Sequence, residues 1–244
     1  MNKQLTTDIE KFRAGLASSA EDIAFRIFPS KILELQEMIQ SFDSSSSPFH
    51  PSHASTSTDG TVYPPPDGNP SEEPPSKKRR LADPIDSNAV QNGRFNSVVV
   101  ANKHISGLHA IVKRESEQLS STVDQVKMWI TLTMPKIEDG DNFGVQIQEE
   151  VLSELHRAQE SAYNLRDTAR QDYITRAKIC SKLIKYPNLE DYMLALKEHD
   201  EKQIFFSRQH IIDIRNMYAS LMDLIQKNIT KIRVPKANNN RALY

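Results

Sequence analysis

Apolar positions recur along this chain at helical spacing in four long stretches. Leu5, Ile9, Phe12 and Leu16 step by four, three and four, and Ile23 and Ile27 resume the stripe after Ala20, as one face of an amphipathic helix requires. Phe28-Pro29-Ser30 interrupts that run, and Ile32, Leu35 and Ile39 continue it with Ser30 as a candidate cap, which predicts a kink or brief break and not a domain boundary. A second pattern runs from about Asn102 to Met134 through Ile105, Leu108, Val112, Leu119, Val123, Val126 and Ile130, with a single gap at Glu115 and Trp129 beside the stripe. A third uses Leu152, Leu155, Ala162, Leu165, Ala169, Tyr173, Ala177, Cys180 and Ile184 and ends before Pro187. The fourth carries Leu189, Met193, Leu196, Ile204, Ile211, Ile214, Tyr218, Leu221, Ile225 and Ile232 until Pro235 stops it. Helices of about 40 residues are on the order of 60 Å long, and short turns after the second and third force antiparallel neighbours. The predicted fold is all-α: an elongated antiparallel four-helix bundle.

Composition changes the picture between the first two helices. At Asp43 the chain turns to Ser44-Ser45-Ser46-Ser47-Pro48 and stays dense in Pro, Ser, Thr and Asp to about Ser97. Such a segment buries too little apolar surface to offset its ordering entropy. The division is therefore residues 1–42 as helix 1, 43–100 as a long disordered insert, and 101–244 as helices 2 to 4. Inside the insert, Lys77, Lys78, Arg79 and Arg80 form a basic tract flanked by prolines. Four consecutive cations in a polar segment fit a nuclear import signal, with a solvated charge run as the plain alternative. A nucleic-acid arm is a rival use that lacks interleaved aromatics. Lys plus Arg total 31 against Asp plus Glu 32, a formal net charge of -1, so a wide nucleic-acid surface is not expected. No window is long and apolar enough for a membrane span, and the first ten residues hold no apolar run. Ile111, Ile179, Phe205, Phe206 and Leu224 lie off the main stripes and suggest lateral packing between subunits.

No catalytic constellation emerges. His50, His53, His104, His109, His156, His199 and His210 show no two-histidine zinc motif, and His50 and His53 fall in the insert. Cys180, the sole cysteine, sits among Ile179, Leu183 and Ile184 and reads as a small buried apolar residue in a reducing compartment. The seven glycines are scattered, so no phosphate-cradling loop forms, and neither enzyme activity nor a cofactor is expected. The chemistry concentrates instead in the stretch after Pro135: Lys136, Ile137, Glu138, Asp139, Gly140, Asp141, Asn142, Phe143, Gly144 and Val145. Pro135 disfavours helix at Met134, the glycines allow turns closed to other residues, and Asp141 or Asn142 can cap the helix that follows. The carboxylates lack the ligand alternation and distal glutamate of an EF-hand loop, so no metal is assigned. Taken alone, the stretch is a tight connection between antiparallel helices. The tail after Pro235 is polar through Asn238-Asn239-Asn240 and ends Arg241-Ala242-Leu243-Tyr244. It is either a frayed terminus or a flexible stem presenting an aromatic tip and free carboxylate for capture.

The wording of the loop closely resembles the activation loop of the REG-type (11S) proteasome activators, Pro-(Lys or Arg)-Ile-Glu-Asp-Gly-Asn-Asn-Phe-Gly-Val. Asp141 stands where that pattern has its first asparagine. Further matching phrases are Tyr173-Ile174-Thr175-Arg176-Ala177-Lys178, Lys185-Tyr186-Pro187 with Glu190-Asp191-Tyr192, and Lys227-Asn228-Ile229 with Lys231-Ile232. With the basic tract and the Leu-Tyr ending, these look most like the nuclear gamma type of the family. The resemblance implies a homo-oligomeric, heptameric ring that caps the core proteasome without ATP and stimulates degradation of peptides and unfolded proteins. It further implies that Leu243 and Tyr244 dock in pockets of the alpha-subunit ring, that Lys136 to Val145 open the gate, and that the protein is nuclear. Lys178 is either a channel-lining residue of that ring or an ordinary solvated lysine. A helical scaffold that binds nuclear partners without opening proteasomes is the competing expectation, and dependence on Tyr244 separates the two.

Overall fold

The computed structural model describes residues 3–64, 97–136 and 142–236. Its helices are α1 (Lys3–Asp22), a π-helical turn (Ile23–Ile27), α2 (Phe28–Gln40), the short α3 (His53–Ser57), α4 (Lys103–Thr133), α5 (Phe143–Lys185) and α6 (Glu190–Arg233). The four arms form the bundle that the stripes predict. α5 has 43 residues and α6 has 44, so each is about 65 Å long at 1.5 Å per residue. α4 packs on α5, α5 on α6, and α1 and α2 pack on α4 and α6. Leu35, Leu119, Val123, Val126, Ile130, Leu155, Ile211, Ile214 and Ile225 fill one continuous core.

The break in the first arm has a specific cause. Pro29 has no N–H, and its ring cannot sit above a carbonyl in an ordinary α-helical turn. The chain answers by widening into the π turn, in which Phe28 N–H bonds to Ile23 O. The carbonyl of Ala24 would next need an N–H at residue 29, where there is none. Gln226 supplies it from α6, with Nε2 donating to Ala24 O at 3.0 Å. Ala24 is completely buried, so an unpaired carbonyl there would cost about 1–3 kcal/mol. The bend is therefore held from outside the helix that makes it.

Part of the segment that composition assigns to the insert is folded onto the bundle. Residues 43–64 run through successive turns and α3. Phe49 is buried, with its ring 4.8 Å from that of Phe42. The rings of His53 and His104 lie 4.3 Å apart, and His104 Nε2 lies 2.7 Å from Pro48 O. The two legs meet where Tyr63 and Val98 exchange backbone hydrogen bonds of 2.8 and 2.9 Å. His50 and His53 thus belong to a folded stretch and not to the insert proper. Residues 65–96 of the insert, including Lys77, Lys78, Arg79 and Arg80, lie outside the described residues.

In the upper half of α5 the buried face is shifted by one residue from the expected stripe. Tyr173 and Ala177 are exposed, whereas Asp172 and Arg176 are buried. Burying charges is tolerable only where each is paired and hydrogen-bonded. Arg176 Nε donates to Asp200 Oδ1 at 3.0 Å and its Nη1 to Val100 O at 3.0 Å. Asp200 Oδ2 also accepts from Asn102 Nδ2 at 2.9 Å and from Thr58 Oγ1 at 3.0 Å. Asn102 in turn caps α4, its Oδ1 accepting from the N–H groups of His104 and Ile105. The gap at Glu115 has a similar explanation: Glu115 pairs with buried Lys31 at 2.6 Å, a cation supplied by α2.

Asp172 joins three helices, since its carboxylate meets His109 Nε2 of α4 at 3.0 Å and His199 Nε2 of α6 at 2.7 Å. Burial pushes its pKa up, but the hydrogen bonds from the two imidazoles outweigh that and hold it at about 2, below its usual 3.8. A carboxyl depressed in the folded state contributes stability above its unfolded pKa and loses that contribution as pH falls towards its folded pKa. A shift of this size is worth about 2.5 kcal/mol. Asp172→Asn is therefore expected to be destabilising at pH 6, with the deficit shrinking by about that amount between pH 5 and pH 2. Urea unfolding at fixed protein concentration checks this, and a deficit independent of pH would contradict it.

Candidate functional site

The stretch after α4 and the chain exit after α6 are built against each other. α4 ends at Thr133 because Met134 precedes Pro135 and adopts ψ 134°, the extended conformation that the proline ring imposes. Lys136 is exposed. Ile137, Glu138, Asp139, Gly140 and Asp141 lie outside the described residues. Asn142 occupies the cap position of α5 but makes no side-chain capping bond. Its carbonyl accepts the N–H of Gln146 at 2.9 Å, the first bond of the helix, so Asn142 does not supply the side-chain cap expected of Asp141 or Asn142.

Phe143 is 60% exposed, and Lys231 of α6 places its Nζ 5.8 Å from the ring centroid, within range of a cation–π attraction. Gly144 is buried against the chain that leaves α6: a Cβ at this position would lie 1.9 Å from Pro235 O and 2.6 Å from Pro235 C. Only glycine permits so close an approach of two backbones. Val145 is half-buried. One turn further on, fully buried Gln148 donates from Nε2 to Ile232 O at 2.8 Å. That carbonyl belongs to the last turn of α6, where intrahelical partners run out. α6 ends at Arg233, whose guanidinium makes a forked pair of bonds with Glu21 of α1 at 2.8 and 2.9 Å. Pro235 lacks the N–H needed to continue the helix.

Of the other site residues singled out by sequence, only Lys178 is among the described ones. Lys178 is exposed on α5, 34 residues beyond Gly144 and so about 50 Å away along the helix. Leu243 and Tyr244 lie outside the described residues, as do Lys77, Lys78, Arg79 and Arg80. Sequence reasoning missed Gln148 and Pro235 as partners of the loop. Gln148 did carry a signal, because it sits at the stripe spacing of Gly144, Val151 and Leu155, where an apolar side chain is expected. Of the off-stripe residues, Phe205 and Phe206 are exposed, whereas Ile111 and Leu224 pack on the core and Ile179 on a smaller cluster. Leu5, Ile9 and Phe12, the first turns of the α1 stripe, are also exposed. Among the described residues no group of three His, Cys, Asp or Glu side chains is placed to hold a metal, and no helix is long and apolar enough to cross a membrane.

Comparison with known proteins adds the family. The family description "Proteasome activator PA28, C-terminal" matches residues 98–242, and "Proteasome activator PA28, N-terminal" matches residues 3–47. A proteasome activator complex subunit 3 from Pongo abelii is 35% identical over 256 residues, covering 100% of this chain and 98% of that protein. The crystal structure of the 11S subunit of the Plasmodium falciparum proteasome, PA28, is 30% identical, superposes with a TM-score of 0.74 and covers 97% of both chains. A chain in the complex of the yeast 20S proteasome with the activator PA26 from Trypanosome brucei shares the fold with a TM-score of 0.62 at 11% identity, covering 96% of this chain and 98% of that one.

Proposed function

The chain belongs to the PA28 family of proteasome activators, and on that premise we propose that it activates the core (20S) proteasome without ATP, as a heptameric ring that docks by its C-terminal tails and opens the gate through Lys136 to Val145. The observation that carries this reading is the contact of Gly144 with Pro235, because it brings the loop and the origin of the tail to one end of the bundle. A device that must grip and press on the same surface needs both there. Exposed apolar side chains on two separate stretches, Leu5, Ile9 and Phe12 on α1 and Phe205 and Phe206 on α6, supply surface for neighbouring subunits.

The two parts do different work. A short tail ending in Leu243 and Tyr244 binds weakly because it loses conformational freedom, and seven on one ring compensate through effective concentration. Gripping alone does not open a gate. The loop has to favour the open entrance over the closed one, since a ligand shifts an equilibrium only by its differential affinity. Asp141 in place of asparagine exchanges an amide for a carboxylate, which shapes a turn equally well, so the loop retains its action. The products are peptides from peptide and unfolded-protein substrates, and Lys77 to Arg80 direct the protein to the nucleus.

The test is hydrolysis of fluorogenic peptides by latent core proteasome with and without this protein. Stimulation is the expected result. Binding without stimulation would place the fault in the loop, and absence of both would favour a nuclear scaffold. In the same assay Lys178→Glu, which reverses a charge on an exposed stretch of α5, is expected to change the ratio of basic to acidic peptides cleaved by at least threefold. An unchanged ratio would remove Lys178 from the channel.

A further inference from the structure

The loop lies between α4 and α5, whereas the tail follows α6, so nothing in the connectivity obliges one to move with the other. The contacts at the base of α5 do. The Cα of Gly144 rests on the backbone of Pro235 with no room for a methyl group between them. Gln148 fixes the height of α5 against α6 through its buried bond to Ile232 O. Lys231 lies over Phe143, the first residue of α5. Three residues at the start of α5 thus meet Lys231 and Ile232 in the last turn of α6 and Pro235 just beyond it, where the tail begins.

We infer that Gly144 and Gln148 are positioning residues that lock the start of α5, where the loop ends, to the root of the tail, so that the seating of the tail sets where the loop is presented. This rests on the functional reading above. Its content is that the strength of binding and the extent of opening separate: loosening the clamp leaves the tail free to dock but presents the loop at the wrong place. A steric contact and a buried hydrogen bond act on position, and both groups are buried in the monomer.

Two measurements on the full-length chain test it. The first needs no proteasome. Pro235→Gly leaves α5 unchanged in sequence but frees the backbone against which Gly144 rests. The amides of Gln146 to Glu149 are expected to exchange hydrogen at least tenfold faster in this variant, with exchange in the middle of α5 unaltered. Unchanged exchange would overturn the inference. The second compares Gly144→Ala and Gln148→Leu with wild type in stimulated peptide hydrolysis across a concentration series. Each variant is expected to reach a maximal stimulation at least fivefold lower, with the half-saturating concentration moved by less than threefold and ring size and helicity retained. A loss of affinity with unchanged maximal stimulation, or full stimulation by both variants, would overturn it. If wild type does not stimulate at all while Pro235→Gly accelerates exchange, the activator reading fails and the mechanical coupling stands.

Discussion

Deletion of Tyr244 is expected to abolish stimulation of the core proteasome while leaving the helices and their assembly intact. Tyr244 comes nine residues after Pro235, itself beyond the end of α6, so its removal takes no residue from the helices. It removes an aromatic ring and also moves the terminal carboxylate back by one residue, onto Leu243. A pocket that captures a terminal carboxylate through fixed donors then receives the group in the wrong register. Suppose each tail loses about tenfold in affinity, equivalent to about 1.4 kcal/mol. Because tails on one ring bind at high effective concentration, the losses multiply, and even three engaged tails would weaken the ring about a thousandfold. The half-saturating concentration in the peptide assay should therefore move beyond reach. Stimulation undiminished by the deletion would rule out tail-anchored docking.

Asp200→Ala is expected to be the most damaging single substitution in the bundle. Asp200 is completely buried, and its carboxylate receives Arg176, Asn102 and Thr58. Removing one partner of a buried ion pair strands the other charge, at a cost of about 3–5 kcal/mol. Arg176, 7% exposed, cannot turn to water without opening the packing between α5 and α6. The loss also releases the amide of Asn102, whose other end caps α4, and caps are worth about 1 kcal/mol. Asp200→Asn keeps an acceptor and the shape but not the charge, so it should fall between wild type and alanine. Denaturant unfolding at one protein concentration measures the series. A loss below about 1 kcal/mol for alanine would show that Arg176 finds another partner, contrary to the burial described.

These two sites differ in how far the sequence reveals them. The four stripes are legible because a half-buried helix must place apolar residues at a fixed period, and Leu119, Val123, Val126 and Ile130 do so without exception. The Leu-Tyr ending and the loop are legible as motifs. The network around Asp200 is not, because a buried charge looks like a surface charge until its partner is known, and Arg176 and Asp200 are 24 residues apart. That is why the apolar pattern points to Tyr173 and Ala177 in the upper part of α5, which are exposed, while Asp172 and Arg176 are the buried pair. Residues 43–64 misled for the opposite reason. Their serines and prolines outnumber the aromatic and imidazole rings at Phe49 and His53 that anchor the segment. The loop was readable residue by residue, yet its contact with Pro235 joins positions 91 apart, which no local pattern encodes.

The π turn near Pro29 has a further meaning for how this chain can change. A π turn is one residue more than an α-helical turn needs, and one residue rotates everything beyond it by about 100° around the helix axis. Phe28, Lys31 and Leu35 face the bundle because the wide turn absorbs the extra residue and keeps α2 in phase with α1. If the same residues were wound as ordinary α-helix, everything beyond Ile27 would turn by about 100° and Leu35 would point away from the bundle. Deleting one residue between Ile23 and Ile27 would instead let an α turn close with the phase kept. Elsewhere in the arm a lost residue would swing one half of the stripe out of the core, so this turn is the place where the length of the first arm can change by one without undoing its packing.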